Sequence, residues 1–347
     1  MAWYNEAGER EDVVLSTRVR FARNLADYPF TGRLSATAAT EIIGKVRDTL
    51  EGYREISFSA LSPTEAKAYV ERHYVSPAFT DRRLPRALFL GEGERVQIMV
   101  CEEDHLRIQS TVAGFAPDKA FEAACGADDT ICSRLRIAFN ERLGYLTHCP
   151  TNLGNAMRVS AMMFLPGLTL TGNLEKLTPS LNKVGMTIRG VYGEGSEAAG
   201  NIYQISNSSS LGISETDILK NFSDVVGRVS ELEGKARALL LEREGDRMTD
   251  RVYRSLGILR HAYMLSSEEM NTRLSDIRLG KALGILETVP LCKLTELSIA
   301  ARPATLSLSG EGLDGEVARD KARARLLRAA LAERTEAAAD GGETDKK

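Results

Sequence analysis

Along this chain the polar and apolar positions first alternate and later fall at helical spacing. Residues 12–20 are rich in β-branched side chains and predict a strand, and the Ala- and Thr-rich stretch at 34–53 predicts a helix. Residues 96–100 form a short apolar run and 106–112 alternate, with Glu102, Glu103 and Asp104 between them. That is the pattern of two antiparallel strands joined by a tight polar connection. Further strands are predicted at 158–165, 186–192 and 201–206. Between the last two, residues 193–200 are mostly glycine and small residues with little to bury, which predicts a mobile loop carrying Glu194. Ser214, Glu215, Thr216 and Asp217 then fit a capping box. Leu219, Phe222, Val225, Val226 and Val229 recur every three or four residues, so a long amphipathic helix should follow. From there to about residue 333 the pattern is nearly all helical.

These elements predict an α+β fold, an antiparallel sheet flanked by helices rather than a βαβ array, followed by an all-helical C-terminal domain. The change of texture near residue 235 sets the expected division: a catalytic domain at 1–235, a helical domain at 236–333 and a tail at 334–347. The tail lacks periodicity and should be disordered. A chain of 347 residues suits two domains and can bury a core without disulfides. Its 45 basic and 48 acidic side chains leave a net charge of −3, which argues against a nucleic-acid partner. No apolar run approaches the roughly 18–20 residues needed to span a bilayer. The first residues lack the basic start and apolar stretch of a signal peptide, so a cytoplasmic location is expected. Cys101, Cys125, Cys132, Cys149 and Cys292 are odd in number and never spaced CxxC, which argues against both a disulfide framework and a zinc knuckle.

Four constellations could carry chemistry. On a strand, Ser16, Arg18 and Arg20 share one face, with Leu15, Thr17 and Val19 behind them. Two guanidinium groups so placed repel unless anions sit between them, and a polyphosphate suits their planar forks of donors. Glu102, Glu103 and Asp104 crowd three carboxylates at one strand connection, which calls for a positive partner; Arg107, four residues beyond Glu103, faces the same side. Cys149 opens an irregular Pro-, Asn- and Gly-containing loop that ends at Arg158, and an arginine nearby would lower its thiol pKa. Arg189 ends a strand that leads into the loop of Glu194. Taken singly, each also fits a plainer reading: a solvated strand face, an exposed acidic turn, a buried cysteine, a solvated glutamate. Neither a Walker GxxxxGK[ST] motif nor the HRD and DFG elements of protein kinases occurs.

Together, the segments 16–25 (STRVRFARNL), 102–110 (EEDHLRIQS), 149–158 (CPTNLGNAMR), 189–196 (RGVYGEGS) and 201–212 (NIYQISNSSSLG) resemble, in order and spacing, the catalytic motifs of the phosphagen (ATP:guanido) kinases. The resemblance covers about residues 12–225. There is no room for the small N-terminal helical domain of the metabolic members, and a helical C-terminal domain replaces it, which resembles the bacterial protein-arginine kinases of that family. Residues 319–324 (RDKARA) are similar to the RDxxRA motif of that branch; alone they would read as a solvated helix face.

The resemblance implies transfer of the ATP γ-phosphate to arginine in proteins, marking them for Clp-dependent degradation or for regulation. It places Glu103, Glu194 and Cys149 at the acceptor guanidinium. It implies a nucleotide set of Ser16, Thr17, Arg18, Val19 and Arg20; His73, near the adenine; Arg107; Arg158, Val159, Ser160, Ala161 and Met162; and Arg189, Gly190, Val191, Tyr192, Gly193 and Glu194. Arg319, Asp320, Arg323 and Ala324 would bind phosphoarginine. ATP with Mg²⁺ is implied, the ion being held mainly by nucleotide and water rather than by protein ligands. The implied partners are proteins with exposed arginines, a second copy of the chain in a homodimer or higher oligomer, a zinc-binding activator and a Clp ATPase or protease. Asn155 and the stretch Met157, Arg158, Val159, Ser160 depart from the family's usual pattern. Two other readings remain: a metabolic phosphagen kinase acting on free arginine, and a non-catalytic phosphoarginine-binding adaptor.

Overall fold

The computed structural model describes residues 2–190, 199–287, 289–310, 312–313 and 315–332. The predicted loop from 193 to 198, its Glu194, and the tail from 333 onward lie outside the described residues.

The sheet runs β1 (Val14–Arg23), β2 (Arg54–Ser57), β3 (Ala87–Leu90), β4 (Val96–Val100), β5 (Leu106–Ala113), β8 (Met157–Phe164), β9 (Met186–Gly190) and β10 (Ile202–Asn207), while β6 (Phe139–Asn140) and β7 (Gly144–Tyr145) make a separate small hairpin. The order across the large sheet is β2-β3-β4-β5-β1-β8-β10-β9, with every neighbouring pair antiparallel. The predicted strands are all present. The short strands β2 and β3 and two helices, α2 (Pro63–Glu71) and α3 (Pro117–Arg134), are additions to the sequence reading.

One face of the sheet packs on α1 (Ala36–Thr49), α3 and the first half of the helix after β10. Val19, Phe21, Ile108, Val159, Ala161 and Ile205 meet Ile42, Val46, Ala120, Ala124, Ile131 and Phe222 there, all buried. Alanines at 120, 124 and 127 with Ile131 give α3 the small apolar stripe that lets it lie close to β1 and β5. On the other face α2 covers β3 and β4, burying Tyr74, Phe79, Leu88, Leu90 and Met99 with Trp3. The same face of β5, β1, β8, β10 and β9 carries mainly polar side chains, with Met162, Phe164 and Ile202 among them.

After β8 come α4 (Pro166–Leu170) and α5 (Leu174–Lys183), and after β10 the long α6 (Glu215–His261). Ser214 caps α6 by accepting from the Asp217 amide at 3.1 Å. The helix is continuous through residue 235, where the sequence texture changes; its backbone departs from helical geometry at Glu244. Its second half joins α7 (Ser267–Ala282), α8 (Leu291–Ala300), α9 (Pro303–Ser307) and α10 (Glu316–Leu331) around Val252, Leu259, Leu274, Ile277, Leu294 and Leu327. No described helix is long and apolar enough to cross a membrane.

Buried charges join the layers. On α6, Glu233 accepts from the amides of Gly167 and Leu168 at 2.8 and 2.9 Å, capping α4. A side chain at Gly167 would come within 3.0 Å of that carboxylate. Arg237 pairs with Glu233 at 2.6 Å and reaches Asp12 and the Phe164 carbonyl. On α2, Glu71 accepts from the Ala304 and Thr305 amides and the Thr305 hydroxyl, fastening α9 to the catalytic half. At the end of β1, Arg23 is 2 % exposed, pairs with Asp128 of α3 at 2.6 Å and lies over the Tyr145 ring at 3.5 Å. Removing one partner of such a pair strands a buried charge. Asp128→Ala should therefore cost about 3–5 kcal/mol, measured by urea unfolding, and a loss below about 1 kcal/mol would mean the pair behaves as a surface contact.

Candidate functional site

The strand register collects the arginines. Arg20 of β1 pairs across to Gln109 of β5 and to Arg158 of β8, Arg18 lies opposite Thr111 and Ser160, and Ala22 lies opposite Arg107. Farther out, Ser160 pairs with Ser206, Met162 with Gln204, and Gln204 with Arg189. Because side chains alternate between faces, these pairings set Ser16, Arg18, Arg20, Arg107, Arg158, Ser160, Met162 and Arg189 on one face. Thr17, Val19, Val159 and Ala161 are thereby turned away and are fully buried in the core. They give no side chain to the cleft. Thr17 instead donates its hydroxyl to the Gly114 carbonyl. Leu15 also departs from the simple alternation. A register shift between Val14 and Ser16 carries it to a cluster with Phe164, Met248 and Leu279 rather than behind the arginines.

The cleft is positive and only partly satisfied. Arg18 donates to Gln204 Oε1 at 2.9 Å, and Arg158 donates to Ser206 Oγ at 3.0 Å. The Nε atoms of Arg18 and Arg20 are buried with no hydrogen-bond partner. Burial, then the neighbouring Arg107 and Arg158, push Arg18 down to about 10. Burial and the same neighbours, with Arg18, push Arg20 well below its usual value. Guanidinium groups do not give up their protons at neutral pH, so both stay charged in a buried, like-charged setting that an anion would relieve. Planar forks with free donors suit phosphate oxygens.

Arg107 stands at the border between this cationic patch and the acidic connection. It pairs with Glu102 at 2.6 Å and with Glu103 at 3.1 Å. Glu102 is buried and accepts from the Ser76 hydroxyl, whereas Glu103 is over a third exposed. The connection itself is held by groups that reach no surface. Asp104 Oδ1 accepts from Asn24 at 2.6 Å and from the His148 amide at 2.7 Å, so one carboxylate joins the end of β1, the acidic connection and the approach to Cys149. Cys149 is half-buried before a short helical turn, Pro150–Asn152, and its thiol lies 3.0 Å from the Thr151 hydroxyl.

His73 has a left-handed backbone (φ 62°). Gln109, from the cleft face, donates to the carbonyls of His73 and Tyr74, which sets His73 beside the arginines. Burial, then Arg302 and Arg18, lower its pKa well below the usual value, so it is neutral. Gly190 ends β9 opposite Tyr203, while Val191, Tyr192, Gly193 and Glu194 lie outside the described residues. In α10, Arg323 is 1 % exposed and donates to the carbonyls of Ala301 and Leu265, with Asp320 beside it. Ala324 is packed in the helical core, and Arg319 reaches the Leu313 carbonyl at 3.4 Å.

Sequence reasoning did not single out Gln109, Gln204, Ser206, Asn24 or Asp128. The signal for the first three was present as polar residues at alternate positions of strands whose other positions are apolar. Asn24 and Asp128 act through contacts distant in sequence and carry no local signature. Among the described residues no group of three His, Cys, Asp or Glu side chains is arranged to hold a metal ion.

The family model described as ATP:guanido phosphotransferase, C-terminal catalytic domain, matches residues 36–236, and the model for the protein-arginine kinase McsB C-terminal domain matches residues 245–341. Proteins named protein-arginine kinase are similar along nearly their whole length. That of Brevibacillus brevis is 40 % identical over 95 % of this chain and 94 % of its own. That of Geobacillus stearothermophilus is 39 % identical over 99 % and 96 %. Among solved structures, lombricine kinase aligns with a TM-score of 0.60 at 23 % identity, over 68 % of this chain and 71 % of its own. A duplicated taurocyamine kinase from Schistosoma mansoni with bound transition state analog components aligns at 0.59 and 22 %, over 78 % and 46 %. At these identities the two structures share the fold.

The scaffold predicts its own pH dependence. His105 is fully buried; Nδ1 accepts from the Leu25 amide at 3.0 Å, and Nε2 faces the Pro29 carbonyl at 2.9 Å. The neutral Nε2–H tautomer satisfies both, and burial lowers the pKa. The unfolded chain therefore takes up the proton first on acidification. Stability is complete above about pH 6.5, the ordinary histidine value, and falls as the pH drops from there toward the lower folded value. Melting temperatures measured from pH 8 to 5.5 should decline across that window. His105→Gln should start lower at pH 8 and decline less steeply; an equal decline in the variant would exclude His105 as a source.

Proposed function

The chain belongs to the ATP:guanido phosphotransferase family, in its protein-arginine kinase branch, and is an arginine-phosphorylating enzyme; from that premise we propose that it transfers the γ-phosphoryl group of ATP to arginine side chains of proteins on the arginine-lined face of the sheet. The observation that carries the reading is the pair of buried, partnerless Nε atoms on Arg18 and Arg20, the second directly across from Arg158, on the same face as Arg107, which pairs with Glu103. Arg18, Arg20, Arg107, Arg158 and Arg189 would bind the polyphosphate, with Gln204 and Ser206 holding the first and fourth in place. His73, uncharged beside Arg18, suits the adenine end. Glu103 would take the target guanidinium.

The chemistry needs both halves. A guanidinium with pKa above about 12 is a poor nucleophile at neutral pH. A carboxylate against it localises its positive charge away from the attacking nitrogen. That nitrogen forms the N–P bond as the bond from the γ-phosphorus to the ADP oxygen breaks, and its proton passes to the carboxylate. The arginines neutralise the charge that builds on the phosphoryl oxygens and on ADP. Arg107 has one permanent carboxylate partner, Glu102, and one exchangeable partner, Glu103. An incoming guanidinium can take over Glu103 while phosphate takes over the freed donor of Arg107, so the two substrates replace an ion pair the protein already holds. By resemblance, Glu194 is the second carboxylate and Cys149 a polarising thiolate at the same guanidinium. Mg²⁺ bound with ATP would offset part of its phosphate charge, held mainly by the nucleotide and water.

The family reading extends to a cytoplasmic enzyme that assembles as a homodimer or larger and acts with a zinc-binding activator and a Clp ATPase. We divide the chain near residue 235, with the helical part as the dimerisation and phosphoarginine-binding unit. Phosphoarginine at Arg319, Asp320 and Arg323 would have to exchange the carbonyl partners of Arg323. Its effect would then be felt at the two connections that Arg323 fastens, before α7 and before α9.

Two substitutions test the reading. With γ-labelled ATP and an unfolded arginine-containing protein, acid-labile label should appear on arginine. Glu103→Gln should lower kcat by about 10²–10⁴ with little change in nucleotide binding. Arg20→Met should weaken nucleotide binding and lower kcat together. Label on free arginine alone would replace this reading with a metabolic phosphagen kinase, and undiminished transfer by Glu103→Gln would remove Glu103 from the reaction.

A further inference from the structure

The acceptor side of the cleft is ringed by exposed apolar side chains that phosphotransfer does not use. Seven large apolar side chains are exposed among the described residues before 236, and four of them, Phe139, Leu143, Leu211 and Ile213, lie on segments bonded to the loop that follows Cys149. The Leu143 carbonyl accepts from the Gly154 amide at 2.9 Å, and the Tyr145 amide donates to the Gly154 carbonyl at 2.8 Å. Phe139 stacks edgewise on Tyr145. Ser210 donates to the Leu153 carbonyl at 2.9 Å, and Asn155 donates to the Ile213 carbonyl at 3.0 Å. Gly154 (φ +100°) packs so tightly that a β-carbon would lie 2.7 Å from Leu211 Cα. On the Glu103 side, Phe30 meets the His148 ring edge to face, next to a hollow of about 460 Å³ whose wall includes Leu34, Leu84 and Glu103.

Here a backbone network holds Leu143, Leu211 and Ile213 between 44 and 48 % exposed, and Phe30 beside His148 is 39 % exposed, which leaves apolar surface in water. A cluster of this kind marks an interaction surface. The occupant follows from the proposed reaction. An arginine carried on a polypeptide brings its main chain to within one side-chain length of Glu103 and Cys149, so the residues before and after it come to rest on this rim.

We propose, building on the reading given under Proposed function, that Phe30, Leu143, Leu211 and Ile213 bind apolar side chains flanking the target arginine, so that the residues beside an arginine decide how well it is used.

Two single-arginine peptides of equal length and charge test this, one with leucine and phenylalanine flanking the arginine and one with glycine and serine. The wild-type chain should phosphorylate the first with kcat/KM about ten- to a hundredfold higher, the range that burial of one or two such side chains yields. The combined variant Leu143→Ser, Leu211→Ser, Ile213→Ser should bring the two peptides to within about twofold by losing activity on the apolar one, with the glycine–serine peptide unchanged. Leu211→Ser alone should lose part of the preference, and melting temperatures should stay near wild type because these side chains are exposed. Equal use of both peptides by the wild type, or an undiminished preference in the combined variant, overturns the proposal while phosphotransfer stands. Loss of the preference together with a change in assembly size on gel filtration also overturns it, by making the rim a face between copies of the chain. If neither peptide is phosphorylated, the phosphotransfer reading falls along with it.

Discussion

The catalytic half depends on holding several guanidinium groups side by side without giving each a carboxylate. At separations of about 5–6 Å and an effective dielectric near 20, each such pair repels by roughly 3 kcal/mol. A flexible loop would relieve that strain by swinging its arginines into water. A central strand cannot. The main-chain bonds of β1 to both β5 and β8 fix where Arg18 and Arg20 point, and the opposite face of the same strands is locked by Val19, Phe21, Val159 and Ile108 in the core. The apolar side of the sheet thus holds in place the unfavourable charge on its polar side. Arginines held in this way need no reorganisation to meet a polyanion.

The acceptor groups are fixed by a different device. Glu103 and Cys149 sit on connections, and connections need tethers. Asp104 supplies one, reaching Asn24 and the His148 amide with a single oxygen. Arg23 supplies another, running from Asp128 of α3 to the carbonyl of Asn155 at the far end of the Cys149 loop. Both are buried, and neither contacts the groups expected to react. Their role is to keep an exposed carboxylate and a half-buried thiol at a constant distance from the arginines. The division of labour explains why Glu102 and Glu103, adjacent in sequence, differ: one is the buried anchor of Arg107 and the other is its exposed, replaceable partner.

Much of this was legible because strands alternate. Ser16, Arg18 and Arg20 could be set on one face from spacing alone, and the acidic connection between β4 and β5 could be placed before any coordinates. What alternation cannot give is partner identity. Nothing local says that Arg20 lies across from Arg158, since 138 residues separate them and only the register of β1 with β8 decides it. Motif resemblance has the converse weakness. It marks whole segments, so Thr17, Val19, Val159 and Ala161 travel with their neighbours although the pleat turns their side chains into the core. The bulge at Leu15 and the short strands β2 and β3 escaped for a third reason: a bulge leaves no periodic trace, and four residues are too few to establish one. For Arg323, an arginine-rich helix reads as a solvated face, and burial of its guanidinium on three oxygen partners is a tertiary outcome.

The helical half is bound to this machinery at points that matter to it. Arg237 on α6 grips Asp12 and the Phe164 carbonyl, just before β1 begins and where β8 ends, so the two strands bearing Arg18, Arg20 and Arg158 are anchored to the same helix. Glu71 on α2 holds α9 two residues before His73. Asn201, at the start of β10, donates to Ser275 of α7 at 2.8 Å. A rotation of the helical half about the distortion at Glu244 would leave the first of these intact, because Arg237 lies on the catalytic side of that distortion. The other two would have to break. The Arg237 anchor thus stays with the arginine strands, whereas the segments beside His73 and before Gln204, and Leu15 and Phe164 where they pack on Met248 and Leu279, are coupled to the helical half.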